Sequence, residues 1–228
     1  MLVRTVRSSQ PKGMSVREAG GLGGDEALGD GLDSLGLGPD DDPFASIAEI
    51  MLDSLAAEVG GADVLRSLDD RPLPDEPFDL DAVPPDLAGP VGEILGLCDG
   101  WYAELGDDDP AVVELRAATR RLLAVLAGRA PDSLVGRAAP AGTAAAVCWA
   151  VASANAVFDG RPGSPRAKDL TAHFGRSNSP AARARTMLGI AGVADRSMPG
   201  PIVLPPEMLT SARRSSVISA RDRWLADL

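Results

Sequence analysis

Few side chains in this chain are of a type and spacing that could do chemistry. The one histidine, His173, has no Ser, Cys or carboxylate partner at a spacing that would make a nucleophile–base pair. The two cysteines, Cys98 and Cys148, stand far apart in apolar helical patterns. Neither has a Cys or His neighbour at metal-ligand spacing, so buried free thiols and no metal are expected. Asp107, Asp108 and Asp109 have the composition of a metal or acid–base cluster. They directly precede Pro110 and an apolar-periodic run, which makes them a helix cap favoured by the helix dipole. No reactive constellation assembles, so the expectation is a non-enzyme without a cofactor. What remains is cationic. Lys168, Arg176, Arg183 and Arg185 recur in one short stretch, with the polar Ser177 and Asn178 among them. Such groups, held on short helices, suit phosphate oxygens and base edges.

The elements that would position these cations have a helix-turn-helix outline. Leu170 and Phe174 would anchor a first short helix, and Gly175 supplies a turn residue that tolerates positive φ. Ser177, Asn178 or Ser179 can cap a second helix, with Pro180 at its first position. Ala181, Ala184 and Leu188 then face inward. Arg183 and Arg185 would face outward, with Arg176 in the turn and Arg166 and Lys168 at the entry. Two positions depart from the usual pattern: Arg176 where a small apolar residue is customary, and Thr171 where Ala is. Either would re-aim the second helix. Arg116, Arg120 and Arg121 share one face of an earlier helix, either as a solvated surface or as a further phosphate contact.

The run that must support this pair opens with Thr143 as a cap and continues through Val147, Val151, Ala154 and Phe158. Cys148, Ala150 and Ala152 make its other faces apolar too, so the helix should be buried all round. Asn155 on it needs hydrogen-bond partners and is expected to brace a neighbouring loop. Residues 138–158 carry no charge, but Pro140, Gly142, Thr143, Ser153 and Asn155 favour a buried soluble helix over a membrane span.

Cys148-Trp149-Ala150, Asn155, Phe158-Asp159 and Leu170–Gly175, with the Ser/Ala/Arg helix that follows, resemble an uncharacterised bacterial all-helical domain family. The helix-turn-helix-like end of that family is similar to the close of the cyclin-like repeats of transcription factor B. The resemblance covers roughly residues 87–195. It implies an all-α domain with a DNA-binding role and transfers no catalytic residue.

The expected architecture is therefore an all-α helical bundle with a C-terminal helix-turn-helix-like pair and a disordered acidic N-terminal arm. Residues 1–42 are Gly-rich and poor in large apolar groups, too few to offset ordering entropy. Residues 43–68 form an amphipathic helical segment opened by Asp42-Pro43. Residues 69–86 are an acidic, Pro-rich linker, 87–195 the helical domain, and 196–228 an irregular segment and a C-terminal helix. Residues 1–13 lack the apolar core of a signal peptide, which makes the cytoplasm the expected location; Met14 is a second candidate start.

Charge is segregated by sign. Residues 1–115 carry 6 Lys and Arg against 26 Asp and Glu, whereas residues 116–228 carry 16 against 7. That asymmetry points to an electrostatic partner. DNA is the first candidate, bound by a transcriptional regulator. The alternative is a protein-interaction adaptor whose acidic half binds a basic partner or screens its own basic half.

Overall fold

The structure, a computed structural model, describes residues 43–135, 140–193 and 202–228. The expected arm, residues 1–42, lies outside them. The described residues are all-helical, with no strand. In chain order the helices are α1 (Pro43–Val59), α2 (Ala62–Ser67), α3 (Pro85–Leu105), α4 (Pro110–Arg129), α5 (Asp132–Val135), α6 (Pro140–Ala154), α7 (Ala167–His173), α8 (Ala181–Ile190) and α9 (Ser211–Leu225). A 3-10 turn at Pro206–Met208 precedes α9.

α6 is the axis of the bundle. Eleven of its fifteen residues are buried, so it can only lie between other helices; α3, α4, α7 and α8 all pack on it. Its many alanines let those helices approach closely. Two details differ from the sequence reading. The helix begins at Pro140, so Thr143 lies inside the first turn, fully buried, and its hydroxyl accepts from Arg183 instead of capping. It ends at Ala154, because Ala156 takes a left-handed conformation (φ 55°) that reverses the chain and leaves Phe158 half-buried beyond the helix.

Several polar groups in the core are paired. The Tyr102 and Thr119 hydroxyls meet at 2.7 Å between α3 and α4. Asn155 donates to the carbonyls of Val151 and Met208, and its Oδ1 accepts from the Thr210 N–H at 2.6 Å, bracing the approach to α9 as expected. Asp109 caps α4 by accepting from the Ala111 N–H at 2.9 Å. Cys98 and Cys148 are free and buried, and they face each other across α3 and α6. The Cys98 thiol donates to the Ala144 carbonyl at 3.9 Å, and the neighbouring Cys148 together with burial raises it well above its ordinary pKa, which leaves it inert.

Residues 44–228 form one compact unit. Residues 69–86 lack helix until α3 begins, as their prolines dictate, yet Leu73 and Val83 are buried in the shared core. The Glu114 carboxylate on α4 explains the docking. Although buried, it accepts from the Leu73 N–H at 3.2 Å and from the Ser211 N–H at 2.6 Å and hydroxyl at 2.5 Å. One acid thus ties α4, the proline-rich segment and the start of α9 together. On α9 only Arg214 and Val217 are buried. Ile218 and Trp224 also pack against the core, and arginines add polar ties: Arg213 to Glu58 at 2.5 Å, Arg214 to Asp69 at 3.3 Å and to the Arg71 carbonyl, and Arg221 to the Leu65 carbonyl at 2.9 Å.

Candidate nucleic-acid interface

α7 and α8 form one end of the bundle. α7 opens with the Arg166 N–H donating to the Asp169 carboxylate at 2.9 Å. Leu170 and Phe174 are buried, as their role as anchors requires. The Thr171 hydroxyl donates to the Ala167 carbonyl at 2.7 Å, so this departure from Ala is absorbed within the helix. Gly175 adopts φ +60°, and the Arg176 N–H closes the turn on the Thr171 carbonyl at 2.9 Å. The connection then runs to Pro180, longer than the three or four residues usual between such helices. Ser179 Oγ accepts from the Ala181 N–H at 3.3 Å, and α8 starts there, one residue after Pro180. Ala184, Met187 and Leu188 face the core. The two short helices lean on α6 more than on each other.

The six candidate site residues divide. Lys168, Arg176, Ser177 and Asn178 are exposed. Lys168, Thr171, Arg176, Ser177 and Ser179 line a shallow groove of about 380 Å3 without a carboxylate. The Arg176 guanidinium reaches back to α6, where a Cβ on Gly142 would stand 3.6 Å from its Cζ. Arg185 is exposed, with its guanidinium 5.9 Å from the centre of the Trp149 ring.

Arg183 differs from expectation. Its guanidinium turns inward and donates to the Ser133 carbonyl at 3.0 Å and to Thr143 Oγ1 at 2.8 Å, while its Nε is buried without a partner. Position 183 adjoins the inward Ala184 and faces the ends of α5 and α6, where two oxygens wait at guanidinium reach. Burial lowers the Arg183 pKa, and the Arg176 charge lowers it further.

No family model, curated protein or solved structure matches this chain.

Three of the four α4 arginines are bound within the chain. Arg116 pairs with Asp107 at 2.5 Å and Asp99 at 3.4 Å, and Arg120 with Asp75 at 2.6 Å. Arg121 donates to the Glu207 carbonyl at 2.7 Å. The α4 face, open in the sequence between a solvated surface and a further phosphate contact, is an ion-pair seam. His173 lies 3.0 Å from a Glu104 carboxylate oxygen and edge-on to Phe174, tying α7 to α3. Among the described residues no group of three His, Cys, Asp or Glu side chains is placed to hold a metal, and no helix is long and apolar enough to cross a membrane. The sequence reading missed Ser133, Gly142 and Trp149 as the partners of the three arginines. Nothing local to those residues carries that signal, because each partner lies more than thirty positions from its arginine.

Proposed function

We propose that the α7–α8 end binds the phosphate backbone of duplex DNA and serves as the contact surface of a transcriptional regulator. The observation that carries this reading is the partition of charge. Most arginines on α4 and α9 are paired with the chain's own acids, Arg129 and Arg223 being isolated exposed exceptions, whereas Arg166, Lys168 and Arg176 are exposed together at one end, and among the described residues none of the three has an ion pair. Ser177 and Asn178 stand beside them as neutral donors. The resemblance of roughly residues 87–195 to a helix-turn-helix-ended family points the same way. Arg183 is not a base reader here, because its guanidinium is already bonded within the chain. Specificity, if the pole has any, would come from Asn178 and Arg176.

Three exposed cations on phosphates set the steepest log–log salt slope the pole can give duplex DNA, about −2.7. Fluorescence anisotropy of a labelled duplex with the full-length chain, at several salt concentrations, measures it. Replacing Lys168 and Arg176 together by Gln should flatten the slope to about −0.9. Absence of wild-type binding at low salt refutes the proposal.

A second reading, the adaptor, is favoured by the outer face of α1. Ile47, Ile50 and Met51 are exposed there, and Glu49 and Asp53 lie on the same helix, which carries no cation. An apolar stripe with an acidic rim suits a basic partner. Substituting Ile50 by Asp would leave DNA binding intact under the first reading and abolish partner binding under the second.

A further inference from the structure

We infer that Arg176 and Arg183 form a two-pronged seat for a single phosphate group at the start of α6. The inference rests on the DNA reading for its natural occupant, a phosphodiester; the seat itself needs only the phosphate chemistry. Two guanidinium groups converge on neighbouring positions of one helical turn. Arg176 lies against Gly142, and Arg183 is bonded to the hydroxyl of Thr143. They are close enough for the charge of one to disfavour the charge of the other. Among the described residues neither has a carboxylate within ion-pair distance. Asp132 lines the hollow beside Arg183 but forms no ion pair with it, and Asp169 is engaged by the Arg166 N–H. The acceptors Arg183 does have, a carbonyl and a hydroxyl, are neutral.

Elsewhere in this molecule the half-buried arginines find an acid: Arg116, Arg120, Arg213 and Arg214 each sit with a carboxylate. Two like charges held together without one are costly unless an anion joins them. The positive end of the α6 dipole adds to that cost instead of offsetting it. The Arg183 Nε is buried without a hydrogen-bond partner, so nothing in the chain compensates its burial. A guanidinium pair is also the arrangement that meets a phosphate with parallel N–H bonds, which a lysine cannot match. Arg183 is prepositioned by Thr143 and Ser133, and Arg176, which is exposed, would close over the anion from outside.

Thermal melting of the full-length protein, in inorganic phosphate and in chloride of equal ionic strength and pH, tests this. The wild type should gain about 4 °C in Tm for each tenfold excess of phosphate over its Kd. Arg176→Gln, an exposed substitution, should lose that gain while melting normally in chloride. Arg223→Gln, which removes an exposed charge from α9, should keep it. If wild type and Arg176→Gln respond equally to phosphate, the seat is overturned, whatever the duplex does. If the phosphate response depends on Arg176 but the wild type fails to bind a labelled duplex, the seat stands and the DNA reading falls. Loss of both responses in Arg176→Gln supports both.

Discussion

Replacing Glu114 by Gln isolates the charge of the one acid that ties three segments together. The side chain is 7% exposed, and its two oxygens take three donors: Oε2 the N–H groups of Leu73 and Ser211, Oε1 the Ser211 hydroxyl. Gln is nearly isosteric, so no cavity opens. Its amide oxygen would keep the two N–H donors. Its NH2 would face Ser211 Oγ, which can turn to accept. The contacts survive, and what is lost is their charge assistance. A hydrogen bond to a charged group contributes about 1.5–3 kcal/mol, against about 0.5–1.5 for a neutral one, so two weakened N–H bonds cost about 2 kcal/mol. Ser211 is also the first residue of α9, and removing a carboxylate there forfeits up to about 1 kcal/mol of dipole stabilisation. Relief from burying a charge offsets part of this. The net expectation is a loss of about 2 kcal/mol, read by urea unfolding as a lower midpoint with an unchanged slope. Glu114→Ala strands all three donors and should cost about 4 kcal/mol, with residues 205–228 becoming protease-sensitive in the native state. If the Gln variant unfolds within 0.5 kcal/mol of wild type, a limit of about the scatter for neutral surface changes, the carboxylate charge does not hold α9 and the clamp argument fails.

The remaining tests concern pH and a buried hydroxyl pair. Burial raises the Asp99 pKa despite the attraction of Arg120 and Arg116. A raised carboxylate stabilises the fold fully below its unfolded pKa, and that contribution is lost as pH rises through the folded value. Unfolding of wild type and Asp99→Asn from pH 3 to 7 should therefore show the Asn variant gaining on wild type as pH rises; the opposite trend would mean that the two arginines outweigh burial. Thr119→Val leaves the buried Tyr102 hydroxyl without its partner and should cost about 1–3 kcal/mol, part of which Tyr102→Phe in the same chain restores. A double variant no more stable than Thr119→Val would show that the hydroxyl pair is not the source.

Some of this molecule was legible from spacing alone, where the cause is local. Asp109 before Pro110 caps its helix because the carboxylate needs only the N–H two residues on. Gly175 takes positive φ because a turn between two short helices leaves little choice. The run through Val147 and Val151 is central because no face of it is polar. The illegible parts depend on distant atoms. Arg183 looks outward on a helical wheel, but a carbonyl fifty residues earlier and a hydroxyl forty residues earlier draw it in. Thr143 reads as a cap until that arginine claims its oxygen. Residues 69–86 have the composition of a spacer, and distant partners make them part of the core: the Glu114 carboxylate, forty-one positions from Leu73, and Arg120 and Arg214 on Asp75 and Asp69. The charge split was visible, but not that much of it is satisfied within the chain.

That internal satisfaction sets how the DNA test must be run. Deleting residues 1–84 would remove Glu58, Asp69 and Asp75, the counter-ions of Arg213, Arg214 and Arg120. The truncated chain would then present new cations, and tighter DNA binding would report the damage, not a screening arm. A cut after residue 42 avoids this, because the compact unit begins at Phe44 and every one of those pairs lies within it. The removed piece carries 4 Lys and Arg against 8 Asp and Glu. A chain of net charge −11 repels a duplex at long range, and added salt screens that repulsion as well as the attraction at the pole. The full-length slope should therefore be shallower than the contact count alone dictates, and removing residues 1–42 should steepen it towards −2.7 or so. Equal slopes for the two chains would mean that the acidic charge acts only through the ion pairs inside the fold.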